Sequence, residues 1–201
     1  MHLNRFTGLA CAALFTIACT TEPDNRMTEG DRTSGAAAER AAEARPAQAA
    51  AQDAFLHDMA EVNVAEVELG ELAARQATNP AVKQFGQRMV DDHKAANEQL
   101  KQVASSLRVD LPSQPDDAHE TLADRLDNLE GEAFDREYIA AMVKGHEEAA
   151  AKLQKHVTAP ELAPAVKQWA SDTLTHVQKH LEEAKAIQGK LGSAAAKASN
   201  N

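Results

Sequence analysis

The chain has 201 residues, with 31 Asp and Glu against 21 Lys and Arg and a formal net charge of −10. That acid excess argues against nucleic acid as a partner and against docking on anionic lipid through a basic face. Only 3% of residues are aromatic, and Ala, Leu, Glu, Gln and Lys abound, so the composition favours helix with no strand-like alternation competing.

The first 19 residues, MHLNRFTGLACAALFTIAC, open with a polar start containing Arg5 and continue in an apolar run from Phe6 to Ala18. The run is too short to span a bilayer and reads as a signal peptide. It ends in Thr16-Ile17-Ala18-Cys19, which resembles the lipobox at which bacterial lipoprotein precursors are lipidated and cut, with Thr16 where leucine is usual. Cys11 would leave with the signal, so Cys19 is the only thiol of the mature chain. One cysteine makes no internal disulfide, and acylation accounts for it. The expected partner is therefore the membrane, through lipid on Cys19. Thr20 is not the aspartate that commonly retains lipoproteins at the inner membrane, so the expected address is the periplasmic face of the outer one. A soluble periplasmic or secreted protein is the alternative.

Residues 20–50 hold no large aliphatic or aromatic side chain apart from Met27. Such a segment cannot offset its ordering entropy by burial and is expected to be a flexible Ala/Glu-rich tether. Residues 191–201 are expected to be a disordered tail. What remains, residues 51–190, is one domain of ordinary size.

A first helix is predicted from about Asp53 to Ala77, with the stripe Phe55, Met59, Val62, Glu66, Leu69 and Ala73 stepping by four and three. Thr78-Asn79-Pro80 then stops it, with Asn79 as N-cap of the next helix and Pro80 at its first position. The second stripe is Val82, Phe85, Met89, His93, Ala96, Leu100, Val103 and Leu107. So short a turn makes these two helices antiparallel neighbours. A long connection follows over 108–133, inside which Asp117 and Glu120 are spaced as a capping box for a short helix bearing Leu122, Leu126 and Leu129. Those leucines do not continue in phase into the next stripe, which predicts a break near Gly131. The third stripe is Ile139, Met142, His146, Ala149, Leu153 and Val157. TAPELAP, residues 158–164, turns the chain. The fourth is Val166, Trp169, Thr173, Val177, His180, Ala184 and Ile187, widened by Leu174 and Leu181. Four amphipathic helices in two short-turned pairs joined by one long connection make an all-α four-helix bundle.

Each stripe carries one residue of ligand type near its middle: Glu66, His93, His146 and His180. At the helical rise of about 1.5 Å per residue, all four fall at similar heights if the long connection crosses the bundle. In an up-and-down bundle His180 would drift away from the other three. The first reading of this quartet is a buried polar layer, in which the carboxylate and imidazoles satisfy one another without metal. The second is a site for one Zn, Fe or Cu ion, and the third a small-ligand pocket. His176 and His180, spaced by four with Asp172 one turn back, form a weaker surface chelate. His57, His119 and His156 read as surface or helix-end residues, Tyr138 and Trp169 as core. The acidic pairs at 91–92, 147–148 and 182–183 read as solvated faces. No Gly-rich phosphate loop, nucleophile elbow or HExxH appears, and no catalytic residue is assigned.

FLHDMAEVNVAEVELGELA, NPAVKQFGQRMVDDH, FDREYIAAMVKGH and the HL at 180–181 resemble a bacterial family of secreted or lipid-anchored domains of unknown function, number 4142, in the ferritin-like superfamily. The resemblance covers nearly all of residues 53–188. It implies a ferritin-like bundle and no particular activity. Ferritin-like di-iron proteins use Glu-x-x-His on two helices. Here Val90, Val143, Thr173 and Val177 stand three residues before His93, His146, His176 and His180, so that oxidase centre is not carried over. The expectation is an envelope-tethered bundle with a structural or stress-related role, or alternatively a periplasmic metal- or small-ligand-binding module.

Overall fold

The computed structural model describes the backbone of residues 29–199 and the side chains of 45–194. Contacts divide the chain into residues 1–40 and 41–201, and the bundle belongs to the second unit. Among the described residues there are five helices and no strand: α1 (Glu29–Gln76), α2 (Pro80–Leu107), α3 (Asp117–Asp127), α4 (Gly131–Val157) and α5 (Pro164–Ser199). None is long and apolar enough to cross a membrane.

The breaks follow local chemistry. Asn79 caps α2, its Oδ1 accepting from the Ala81 amide at 2.9 Å, and Pro80 takes the first helical position. Gly131 opens α4 at φ +58°, a left-handed value that suits glycine. For α3 the cap is Asp116, one residue earlier than the spacing predicts. Its Oδ1 accepts from the His119 amide at 2.9 Å, and Asp117 and Glu120 lie in the first turn. The two outer ends differ more. α1 begins at Glu29, so residues 29–50 are helical where a coiled tether was expected, and α5 runs through the expected tail to Ser199. Ala, Glu, Arg and Lys form helix without a core to pack on. A shortage of apolar mass excludes burial, and residues 45–51 are indeed exposed, but it does not exclude helix.

Side-chain pairs fix the topology. Lys94 meets Glu71 at 2.9 Å and His93 meets Asn63 at 3.0 Å, pairing α1 with α2. Asp58 of α1 pairs with Lys152 of α4, and Thr78, just past the end of α1, with Asp135 of α4, so these helices run antiparallel. Arg88–Glu183 and Asp92–His180 run α2 against α5. It follows that α2 and α4 point the same way. The connection through α3 therefore crosses the length of the bundle, as in a ferritin-like fold.

The α1–α2 pair is unusually close. A Cβ on Gly70 would stand 2.7 Å from the Gly86 carbonyl oxygen, and one on Gly86 would stand 2.7 Å from Ala73 Cβ. The turn between them is held by Asp135, which is 1% exposed. Its carboxylate accepts from the Thr78 amide at 3.1 Å, the Thr78 hydroxyl at 2.6 Å and the Asn79 amide at 2.8 Å.

The core is split in two. One apolar cluster, around Leu69, Phe85, Met89, Phe134, Tyr138, Met142 and Ala184, lies toward the α1–α2 turn. The other, around Phe55, Met59, Leu100, Leu153, Trp169 and Val177, lies toward the α4–α5 turn. Between them, on every helix of the bundle, come the buried polar residues Asn63, Glu66, His93, His146 and His180.

Candidate metal centre

The crossing connection puts His180 level with the other three. One ring nitrogen from each of His93, His146 and His180 lies within 4.8 Å of the other two, and all three residues are buried. Ring centroids are 5.9 Å apart for His93–His146, 5.5 Å for His93–His180 and 5.4 Å for His146–His180. The donors come from α2, α4 and α5, and Glu66 of α1 completes the ring of helices. Glu66 is 4% exposed, with Oε1 3.7 Å from His146 Nδ1. It stands beside the three-nitrogen group rather than within it.

Each imidazole is oriented from outside the cluster. His93 Nδ1 bonds Asn63 Oδ1 at 3.0 Å, His146 Nδ1 bonds the Met142 carbonyl at 2.9 Å, and His180 Nε2 bonds Asp92 Oδ2 at 2.8 Å. All three partners are oxygen acceptors, so the ring nitrogens donate and their tautomers are fixed. The opposite nitrogens, His93 Nε2, His146 Nε2 and His180 Nδ1, then carry lone pairs. They are buried with no hydrogen-bond partner among the described residues, as is Glu66 Oε2. Backbone and carboxylate oxygens holding the far side of an imidazole are the usual outer sphere of a histidine metal ligand.

The expected mutual satisfaction of Glu66 and the imidazoles is therefore not what the geometry has. Asn63, not Glu66, is the partner of His93. Each of the three rings keeps one nitrogen without a hydrogen-bond partner, and so does one carboxylate oxygen of the neighbouring Glu66. The cavity beside them, lined by Glu66, His93, His146 and Thr173 among others, measures about 10 Å³. That admits about one water, which has two hydrogens to donate.

Burial, and after it the neighbouring imidazoles of His146, His180 and His176, holds His93 well below the ordinary histidine value. Burial likewise brings His180 down to about 4, against the opposing pull of its Asp92 hydrogen bond. Both rings are thus neutral, the form that binds metal. Tyr138 is buried in the adjoining apolar cluster, and burial followed by the charge of Glu66 raises its hydroxyl well above 10.

Asn63 and Asp92 were missed by sequence reasoning, Asp92 being taken for part of a solvated face. The stripe of α1 could have found Asn63, which lies four after Met59 and three before Glu66. Asp92 sits on the shoulder of α2, half-buried, and no periodicity separates it from the exposed Asp91. His176 and Asp172 are exposed, and with Asp92, His93 and His180 they line a cleft of about 90 Å³ between α2 and α5. Trp169 and Tyr138 are core residues as expected. Cys19 lies outside the described residues.

Comparison with solved structures gives three matching chains, two of which follow. A Streptomyces coelicolor protein described as a secreted protein of DUF305 aligns over 70% of this chain and 94% of its own, at 14% identity and a TM-score of 0.59. The Escherichia coli stress protein YciF aligns over 74% of this chain and 96% of its own, at 23% identity and a TM-score of 0.47. The first supports the helical-bundle fold. A comparison with curated proteins finds no match. The family described as Domain of unknown function (DUF4142) matches residues 37–187, reaching further into the N-terminal helix than the motifs alone suggest. With three-quarters of its length so matched, the chain belongs to DUF4142.

Proposed function

We propose that this domain binds a single transition-metal ion through His93, His146 and His180, with Glu66 balancing its charge. The observation that carries this reading is three buried imidazoles from three helices with ring nitrogens within 4.8 Å of one another, each ring keeping one nitrogen unpartnered. Leaving a buried acceptor unsatisfied costs about 1–3 kcal/mol, and here one nitrogen on each of three neighbouring imidazoles is left so, with Glu66 Oε2 beside them. A single cation offsets the three nitrogens at once. In a tetrahedral site with metal–nitrogen bonds of about 2.0–2.1 Å, donor nitrogens stand roughly 3.3 Å apart. The three rings, already within 4.8 Å, need only a small inward movement to reach it. Imidazole and carboxylate suit Zn, Fe or Cu alike. The small adjacent cavity favours holding an ion over turning over an organic substrate. The lipobox-like sequence at Cys19 supports an envelope location, with the domain anchored at the outer membrane and facing the periplasm.

The test is elemental analysis of untagged protein purified without chelator, paired with thermal melts in added metal. One equivalent of metal, or a melting temperature that climbs with added Zn(II) by mass action on the folded state, is expected. Either His93→Leu or His146→Leu should abolish it. Wild-type protein that retains no metal and gains no stability from any of the three would overturn the reading and return the residues to a structural layer.

A further inference from the structure

The cleft between α2 and α5 leads from solvent to two of the three proposed ligands. His93 and His180, 5% and 3% exposed, form its inner wall. Each keeps a ring nitrogen without a hydrogen-bond partner. Asp172 and His176 are exposed at its mouth, and the half-buried Asp92 lies between. Asp172, His176 and His180 are spaced by four along α5 and so share one face, each about 6 Å of helical rise from the next. Oxygen and nitrogen donors therefore mark the way from surface to interior. The outer two have no ion-pair partner among the described residues. Asp172 accepts one hydrogen bond, from Gln168 at 3.0 Å.

We propose that divalent metal ions enter and leave the three-histidine centre through this cleft, with Asp172 and His176 forming an outer capture site that hands the ion to His180. The proposal rests on the metal-binding reading above and adds a route and a second, transient site. Asp172 supplies charge that draws a cation to the mouth. His176 replaces part of its hydration shell, and the next turn of the same helix carries the first buried ligand. Such a pair lowers the barrier to exchange without contributing to the final coordination. Uptake and release must then slow together when it is removed, leaving affinity where it was.

The experiment follows Co(II) binding to the full chain by its ligand-field absorption, in stopped flow for uptake and by chelator challenge for release. It compares wild type with Asp172→Asn/His176→Ala. Both side chains are exposed, and matching melting temperatures of the metal-free proteins check the fold. The expected result is a loss of about tenfold or more in both rates, with one equivalent still bound at unchanged affinity. Unchanged rates in the variant would overturn the capture site while leaving the centre standing. A weakened affinity with unchanged uptake would also overturn it, making the pair ordinary ligands. Wild-type protein that binds no Co(II) would remove both the centre and its route.

Discussion

His93 stands where the α2 stripe calls for leucine, and burying an imidazole there has a physical cost. Sealed from water, His93 and His180 resist protonation, His180 down to about 4. In the unfolded chain the same rings take up a proton near pH 6.5. Between those values the unfolded state binds more protons than the folded one, so the stability of metal-free protein rises with pH across the window. It should fall as pH drops from about 6.5 toward 4, by up to about 1.4 kcal/mol per unit for each histidine. Urea titrations of chelator-treated protein across that window check this, and a flat profile would mean that the rings are not sealed. The four ligand-type residues were legible because each occupies a stripe position where an apolar residue is due. Their partners were less so. The Met142 carbonyl leaves no mark in a sequence, and Asp92 is hidden beside another aspartate.

At the scale of elements, the helices and their breaks were readable from periodicity, the Asn79-Pro80 start and the phase shift at Gly131. The closeness of α1 to α2 was not, because a helical glycine looks the same whether it is crowded or free. Gly86 is crowded. A methyl group there meets Ala73 Cβ at 2.7 Å and the Gly70 carbonyl oxygen at 2.8 Å, and a backbone oxygen cannot swing aside. Alanine would add helix propensity worth about 1 kcal/mol, but overpacking of this kind costs about 1–3 kcal/mol. Gly86→Ala should therefore lower the melting temperature. Gly192→Ala, with nothing within 4 Å of the added methyl, should leave it unchanged or raise it. Equal effects at the two positions would show that the helices can part at no cost. The outer ends of α1 and α5 were misjudged because Ala-, Glu- and Lys-rich sequence supports helix with or without a neighbour.

Over the whole molecule, the sequence left two topologies open, since the path of a long connection is decided by packing that no local pattern records. The crossing path is what brings His180 to His93 and His146. The proposed anchor remains a matter of the N-terminal sequence. Cys19→Ser should release the protein from membranes or leave an uncut precursor, and labelled fatty acid that never enters the wild-type chain would refute lipidation. The crossing connection has its own consequence. The helical pairs α1–α2 and α4–α5 are each hairpins, and the only covalent link between them runs through the connection around α3. Its stretch from Asp110 to Asp116 is irregular, with Ser113 and Gln114 exposed to a protease. A bound ion would hold the two hairpins by coordinate bonds, His93 from one and His146 and His180 from the other. Chain nicked in that stretch should then behave as one particle while loaded. Stripped of metal and diluted into mild denaturant, it should come apart into two fragments at a concentration where the loaded form stays whole.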